Sequence, residues 1–249
     1  MANWQDPQTT GVNTAATVGV PRASRDVGLR SYMLSVYNYM ASGVLLTGIV
    51  ALLFANSSLI NFIVNPATGQ ATPLFWVALF APLAIIFGYR FAIERMSVGT
   101  AQMLFWAFAF LIGVQFSSLF LVYTGVSIAQ TFFAVAAAFG GLSLWGYTTK
   151  KDLSGWGSFL IMGVVGIFVA LLINLFLRSP ALDLAVSAIG VLVFAGLTAY
   201  DTQKIKSIYF VVSGHGEAMA KSAIMGALNL YLDFINMFLF LLRFLGDRR

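Results

Sequence analysis

Asn229-Leu230-Tyr231-Leu232-Asp233-Phe234-Ile235-Asn236-Met237-Phe238-Leu239-Phe240-Leu241-Leu242-Arg243-Phe244 is the stretch that decides the fold. It is an apolar run with a carboxylate in its middle. Asn229, Asp233, Asn236 and Arg243 recur at i, i+4, i+7 and i+14, so on a helix they share one side, and the remaining surface is hydrocarbon. A helix that is apolar nearly all round, with one polar stripe, belongs in a membrane with that stripe turned toward other helices.

The rest of the chain agrees. Of its 249 residues 59% are hydrophobic and only 9% charged, against roughly 45–50% and about 25% in soluble domains. The mean hydropathy is +0.87. Windows of span length place membrane helices near 31–55, 74–92, 100–123, 127–147, 155–177, 182–206 and 223–245. The expected architecture is therefore an all-α, seven-transmembrane-helix bundle over residues 31–249, preceded by a disordered, polar cytoplasmic tail over residues 1–30.

Charge sets the expected orientation. Ten of the fourteen Lys and Arg residues fall in the tail or in alternate connections (Arg90 and Arg95, Lys150 and Lys151, then Lys204, Lys206 and Lys221), whereas the loop at 56–73 has no charge. This puts the N-terminus on the cytoplasmic side of a cytoplasmic (inner) membrane. Arg243, Arg248 and Arg249 resist the pattern, because seven full spans would leave them outside; a re-entrant last segment would remove the conflict. The cations are spread between apolar segments, which excludes nucleic acid as a partner and leaves the lipid bilayer. There is no cysteine, so disulfides and thiolate metal sites are excluded.

A carboxylate inside a span costs roughly 2.5–3.5 kcal/mol on insertion scales, so each one asks for a reason. The other intramembrane acid is Asp201, in Leu197-Thr198-Ala199-Tyr200-Asp201-Thr202-Gln203. If spans six and seven form an antiparallel hairpin, residues equidistant from the turn lie at one depth. The midpoint of Asp201 and Asp233 is Glu217, in the turn-like Ser213-Gly214-His215-Gly216-Glu217. On span six, Ser187, Gly190, Phe194, Thr198 and Asp201 form a second small or polar stripe. Two carboxyls meeting in a low-dielectric interior cannot easily both ionise and should titrate as one unit. Such a pair, supported by Thr198, Asn229 and Asn236, would sense protons or hold a hard cation through its oxygens. Arg90 or Arg95, near the end of span two, is a candidate salt-bridge partner. Gly140-Gly141, Gly163 and Gly166 lie inside spans, where close helix packing is their expected use.

Three stretches resemble the transmembrane BAX inhibitor motif (Bax inhibitor-one) family in its bacterial form. They are Lys150-Lys151-Asp152-Leu153-Ser154 with Trp156 and Ser158-Phe159-Leu160, then Tyr200-Asp201-Thr202-Gln203-Lys204-Ile205, and then the run from Asn229 to Phe244. The resemblance covers roughly residues 30–246 and implies seven helices with the last surrounded by the other six. It also implies a pH-sensitive calcium leak in which Asp201 and Asp233 gate or bind the ion, with an arginine of the second helix, Arg90 or Arg95, taking part. No cofactor is implied beyond calcium as the permeant or bound ion, and no enzymatic activity. Other members resemble regulators that act through contacts with a membrane protease or other membrane proteins, and the polar tail would suit that role.

Other chemistries fit less well. A retinal protein needs a mid-membrane lysine, and all five lysines lie at connections or span ends. An aspartyl intramembrane protease is a remote alternative: Tyr200-Asp201 matches its first motif, but the Gly-x-Gly-Asp of the second is missing. His215 is the only histidine and sits in a turn, so zinc proteases are excluded.

Overall fold

The structure is a computed structural model that describes residues 22–249 apart from Glu94, with side chains from Val27 onward except that of Arg90. Its helices are α1 (Arg22–Ala55), α2 (Pro73–Ala92), α3 (Val98–Phe116), the single turn α4 (Leu119–Val122), α5 (Gly125–Thr148), α6 (Trp156–Leu177), α7 (Pro180–Val212) and α8 (Gly216–Leu245). Hydroxyls fix the starts of four of them. Thr72, Ser97, Thr124 and Ser179 accept the N–H of Phe75, Thr100, Ser127 and Leu182, so each occupies one donor that the first turn leaves open. Pro73 and Pro180 then stand in the first turn, where a missing N–H costs nothing.

Six of these segments are long and apolar enough to cross a membrane, with α3 and α4 counted as one, and α2 is a shorter seventh. The chain is thus a multi-pass helical membrane protein. The third span is broken at Ser117, whose hydroxyl donates to the Val114 carbonyl at 2.6 Å while Ser118 donates to Gln115 at 2.7 Å. Both bonds compete with the helical ladder and end α3 a turn early.

Helix α8 is the axis of the bundle. In its most apolar window 67% of residues are buried, against 11–39% in the other spans. It packs chiefly on α1, α3, α5 and α7, while α2 lies on α3 and α6 on α7 as an outer layer. The last helix is therefore central, as expected, but its principal neighbours number four and not six.

Some boundaries moved. α1 begins at Arg22, inside the stretch expected to be tail, and residues 1–21 lie outside the described residues. α7 runs six residues beyond its expected end and α8 begins seven earlier, so only Ser213–His215 connect them, with Gly214 at φ +97°, a conformation that suits glycine. Lys204, Lys206 and Lys221 thus ride on helix ends. At 33 and 30 residues these helices measure about 50 and 45 Å, longer than the hydrocarbon core, so their polar ends reach water without bending.

Of the glycines expected to serve close packing, only one does so. A Cβ on Gly140, Gly141 or Gly166 would meet nothing within 4 Å, and all three face outward; only Gly163 abuts a neighbour, Val193 at 3.1 Å. Close backbone approaches are at Gly146, where a Cβ would run into the Ala199 carbonyl oxygen, and at Gly113, where it would stand 2.9 Å from that of Thr47. These sites let the backbones of α5 and α7, and of α3 and α1, come within reach of each other.

The two ends of the bundle differ. On the face that carries the α5–α6 and α7–α8 connections, Gln203 of α7 clips the loop before α6: its amide donates to the Lys151 carbonyl and its oxygen accepts from the Leu153 N–H, both at 2.8 Å. Two of the three resemblance-bearing stretches are joined by this clip. At the opposite face the C-terminal residues fold back on the start of α5. The Thr124 N–H donates to the Asp247 carbonyl, the Asp247 N–H to the Ser127 hydroxyl, and the Arg249 N–H to the Val122 carbonyl. α8 is therefore a full crossing and not a re-entrant segment. Beside its basic end Asp183 lies 3.7 Å from both Arg243 and Arg248.

Gly146→Leu is expected to destabilise the bundle by about 1–3 kcal/mol, the range for overpacked cores, and Gly140→Leu to leave stability nearly unchanged; thermal unfolding in detergent compares them. Gln203→Leu is expected to speed proteolysis or amide exchange in residues 149–155 without altering α8.

Candidate functional site

Helix α8 has few apolar alternatives to burying its stripe, and the stripe carries Asp233. Its side chain is 4% exposed, and its Oδ2 has no hydrogen-bond partner among the described residues. Next to it Phe234 is wedged between Phe132 and Phe139, with both ring centroids at 5.6 Å. A carboxyl oxygen left this way in an apolar core is costly until a proton, a water or a cation reaches it.

Its facing partner is set by helix register. Phe194 of α7 stacks on Phe240 of α8 at 5.8 Å. Seven residues, two helical turns, along α7 and seven back along α8 lead to Asp201 and Asp233. Further toward the connection Gly226 faces Ile205. Asp201 is half-buried, and the two carboxyls lie within electrostatic reach of one another. The matched depth expected from the sequence is met.

The expected companions divide. Thr198 is fully buried, but its hydroxyl donates to the Phe194 carbonyl at 2.8 Å, and the Asn236 amide donates to Leu232 at 2.8 Å. The Thr198 donor and one of the two Asn236 N–H groups are thus taken by their own helices. Asn229, one turn from Asp233, lines an open pocket of about 1000 Å³ between α7, α8 and the end of α2, together with Lys204, His215, Glu217 and Lys221. Glu217 and Lys221 pair at 2.8 Å. This pocket thus reaches to within a turn of Asp233. Arg95 is exposed in the turn between α2 and α3 and makes none of the ion pairs among the described residues. The side chain of Arg90, on the last turn of α2, lies outside the described residues.

Hydroxyl groups that sequence reasoning missed fix the pair's surroundings. The Tyr231 hydroxyl meets that of Thr47 at 2.6 Å, and Thr47 donates to the Ala109 carbonyl at 2.9 Å, which ties α8 to α1 and α3 two residues before Asp233. Tyr37, Ser143 and Thr202 form a second chain, with hydroxyl separations of 2.7 and 2.9 Å, from α1 through α5 to the residue after Asp201. Tyrosine, serine and threonine are common enough in spans that only the three-dimensional packing singles these out. Among the described residues no three His, Cys, Asp or Glu side chains gather as a metal-binding group.

Comparison with known proteins places the chain. The family model described as "Inhibitor of apoptosis-promoting Bax1" matches residues 29–249. Over 231 residues the chain is 46% identical to the inner membrane protein YbhL of Escherichia coli, covering 92% of this chain and 95% of that one. It is 50% identical over 224 residues to an uncharacterized protein of Rickettsia prowazekii (90% and 92% covered), and 48% over 232 residues to one of Caulobacter vibrioides (91% and 92%). A match across all seven spans, at such identity, shows that the chain belongs to the Bax inhibitor-one family of membrane proteins.

Proposed function

We infer that this protein is a proton-sensitive cation leak of the inner membrane, with calcium as its ion, gated by the pair Asp201 and Asp233, and that it is not an enzyme. The observation that carries the reading is the unpartnered carboxyl oxygen of Asp233, buried on the central helix and facing a second acid. Two acids at one depth share protons, so their summed charge, and with it their attraction for a cation, changes with proton activity. Hard cations such as calcium seek six to eight oxygens. A site with two carboxylates and water on one side is too sparse to retain such an ion, which suits passage better than storage.

The remaining parts fit that role. The pocket beside Asn229 supplies an aqueous approach from the basic face, which the charge distribution puts in the cytoplasm. The relation to an inner membrane protein of Escherichia coli supports the location. The hydroxyl clamps at Tyr231 and Thr202 hold α8 and α7 in register, so that protonation changes charge at a fixed place.

Calcium entry into proteoliposomes, followed at several pH values, tests the reading. The wild type is expected to pass calcium in a pH-dependent way. Asp233→Asn is expected to lower the flux roughly tenfold, the equivalent of about 1.4 kcal/mol of lost ion interaction, and Asp201→Asn to abolish its pH dependence. Flux that keeps its size and its pH profile in both variants would remove the ion mechanism.

A further inference from the structure

Helices α1 and α5 both pack on α8, yet the seam between them is left open as two grooves in line. The one near the basic face holds about 520 Å³ and is lined by Arg30, Met33, Tyr37, Phe139, Gly140 and Tyr147. The other, of about 320 Å³, lies further along the same two helices among Leu45, Gly48, Phe120, Ile128, Phe132 and Phe238. From Arg30 to Leu52 the seam follows α1 for twenty-two residues, about 33 Å, the thickness of the hydrocarbon core. Its walls are apolar and shaped by glycines: a Cβ on Gly140 or Gly48 would meet nothing within 4 Å. A cleft of this depth, placed in a bilayer, is filled by hydrocarbon.

The chemistry of its rim says which hydrocarbon. Arg30 is exposed at the mouth of the groove, beside Tyr147. Lys206 of α7 approaches the same tyrosine, its ammonium donating to the Tyr147 carbonyl at 2.8 Å and lying 4.9 Å from the centre of that ring. An ammonium has three donors, so two remain for another acceptor. A guanidinium and an ammonium at the level where headgroups lie, above an apolar cleft, match a phosphate that carries acyl chains. We propose that the α1–α5 seam is a binding site for an anionic phospholipid, with its phosphate between Arg30 and Lys206 and an acyl chain in the groove past Gly140. The occupant would lie against Tyr37 and Ser143, the two hydroxyls that continue to Thr202 beside Asp201. The proposal needs only the membrane placement and stands apart from the ion reading.

Native mass spectrometry of the protein, delipidated in a neutral detergent and then given phosphatidylglycerol or phosphatidylcholine of equal chain length, tests it. Wild type is expected to retain phosphatidylglycerol at least roughly fivefold more than phosphatidylcholine, the factor for one basic residue near a charged headgroup. Arg30→Gln is expected to erase most of that preference, and Gly140→Leu, which fills the groove without touching the core, to reduce retention of both lipids. Equal retention of the two lipids by wild type, or variants that bind as wild type does, would overturn the proposal. So would efficient cross-linking of two chains through Leu144→Cys, which would make the seam an interface between copies.

Discussion

The structure depends on one constraint: a helix that carries a carboxylate in the middle of a membrane must be enclosed by other helices. Helix α8 meets it by taking the axial position, where α1, α3, α5 and α7 cover its stripe. Lipid could not do this, since it offers a carboxyl neither a donor nor a counter-charge. Much of the remaining architecture serves the enclosure. Gly113 and Gly146 allow the surrounding backbones to close ranks, and Tyr231 anchors the axis to α1 and α3 through Thr47.

Enclosure leaves the acid itself unsatisfied. Asp233 has an oxygen without a partner among the described residues, and the group within its electrostatic reach is a second carboxylate, Asp201. A purely structural role would favour a donor aimed at that oxygen, yet the Thr198 hydroxyl and one N–H of the Asn236 amide are used within their own helices. On the proposed reading, that open demand is what a proton or cation meets. The clip at Gln203 and the tail bound along Val122–Ser127 hold the two ends of the bundle.

The sequence conveyed the spans well because hydrocarbon thickness and backbone hydrogen bonding leave a membrane helix few alternatives. The depth match of Asp201 and Asp233 was legible for the same reason: an antiparallel hairpin converts distance along the chain into depth. Packing was less legible. Gly140 and Gly166 look like close-contact glycines and face outward, whereas Gly146 and Gly113 make the contacts, because smallness alone does not say which face of a helix meets a neighbour. The hydroxyl network was hidden too, since Tyr37, Ser143 and Thr202 are far apart in the chain and ordinary in a span. The partner of two of the C-terminal arginines was hidden as well: Asp183, at the start of α7, lies beside Arg243 and Arg248 only once the chain has folded.

The central claim is that Asp201 and Asp233 act as one titrating unit. Infrared difference spectroscopy of the protein in bilayers, with isotope-labelled aspartate and a stepwise change of pH, observes those carboxyl groups themselves. Two linked steps are expected in the wild type, and a single step with a displaced midpoint when either residue is replaced by asparagine. If the acid that remains titrates just as it did before its partner was removed, the two do not share protons and the account is contradicted.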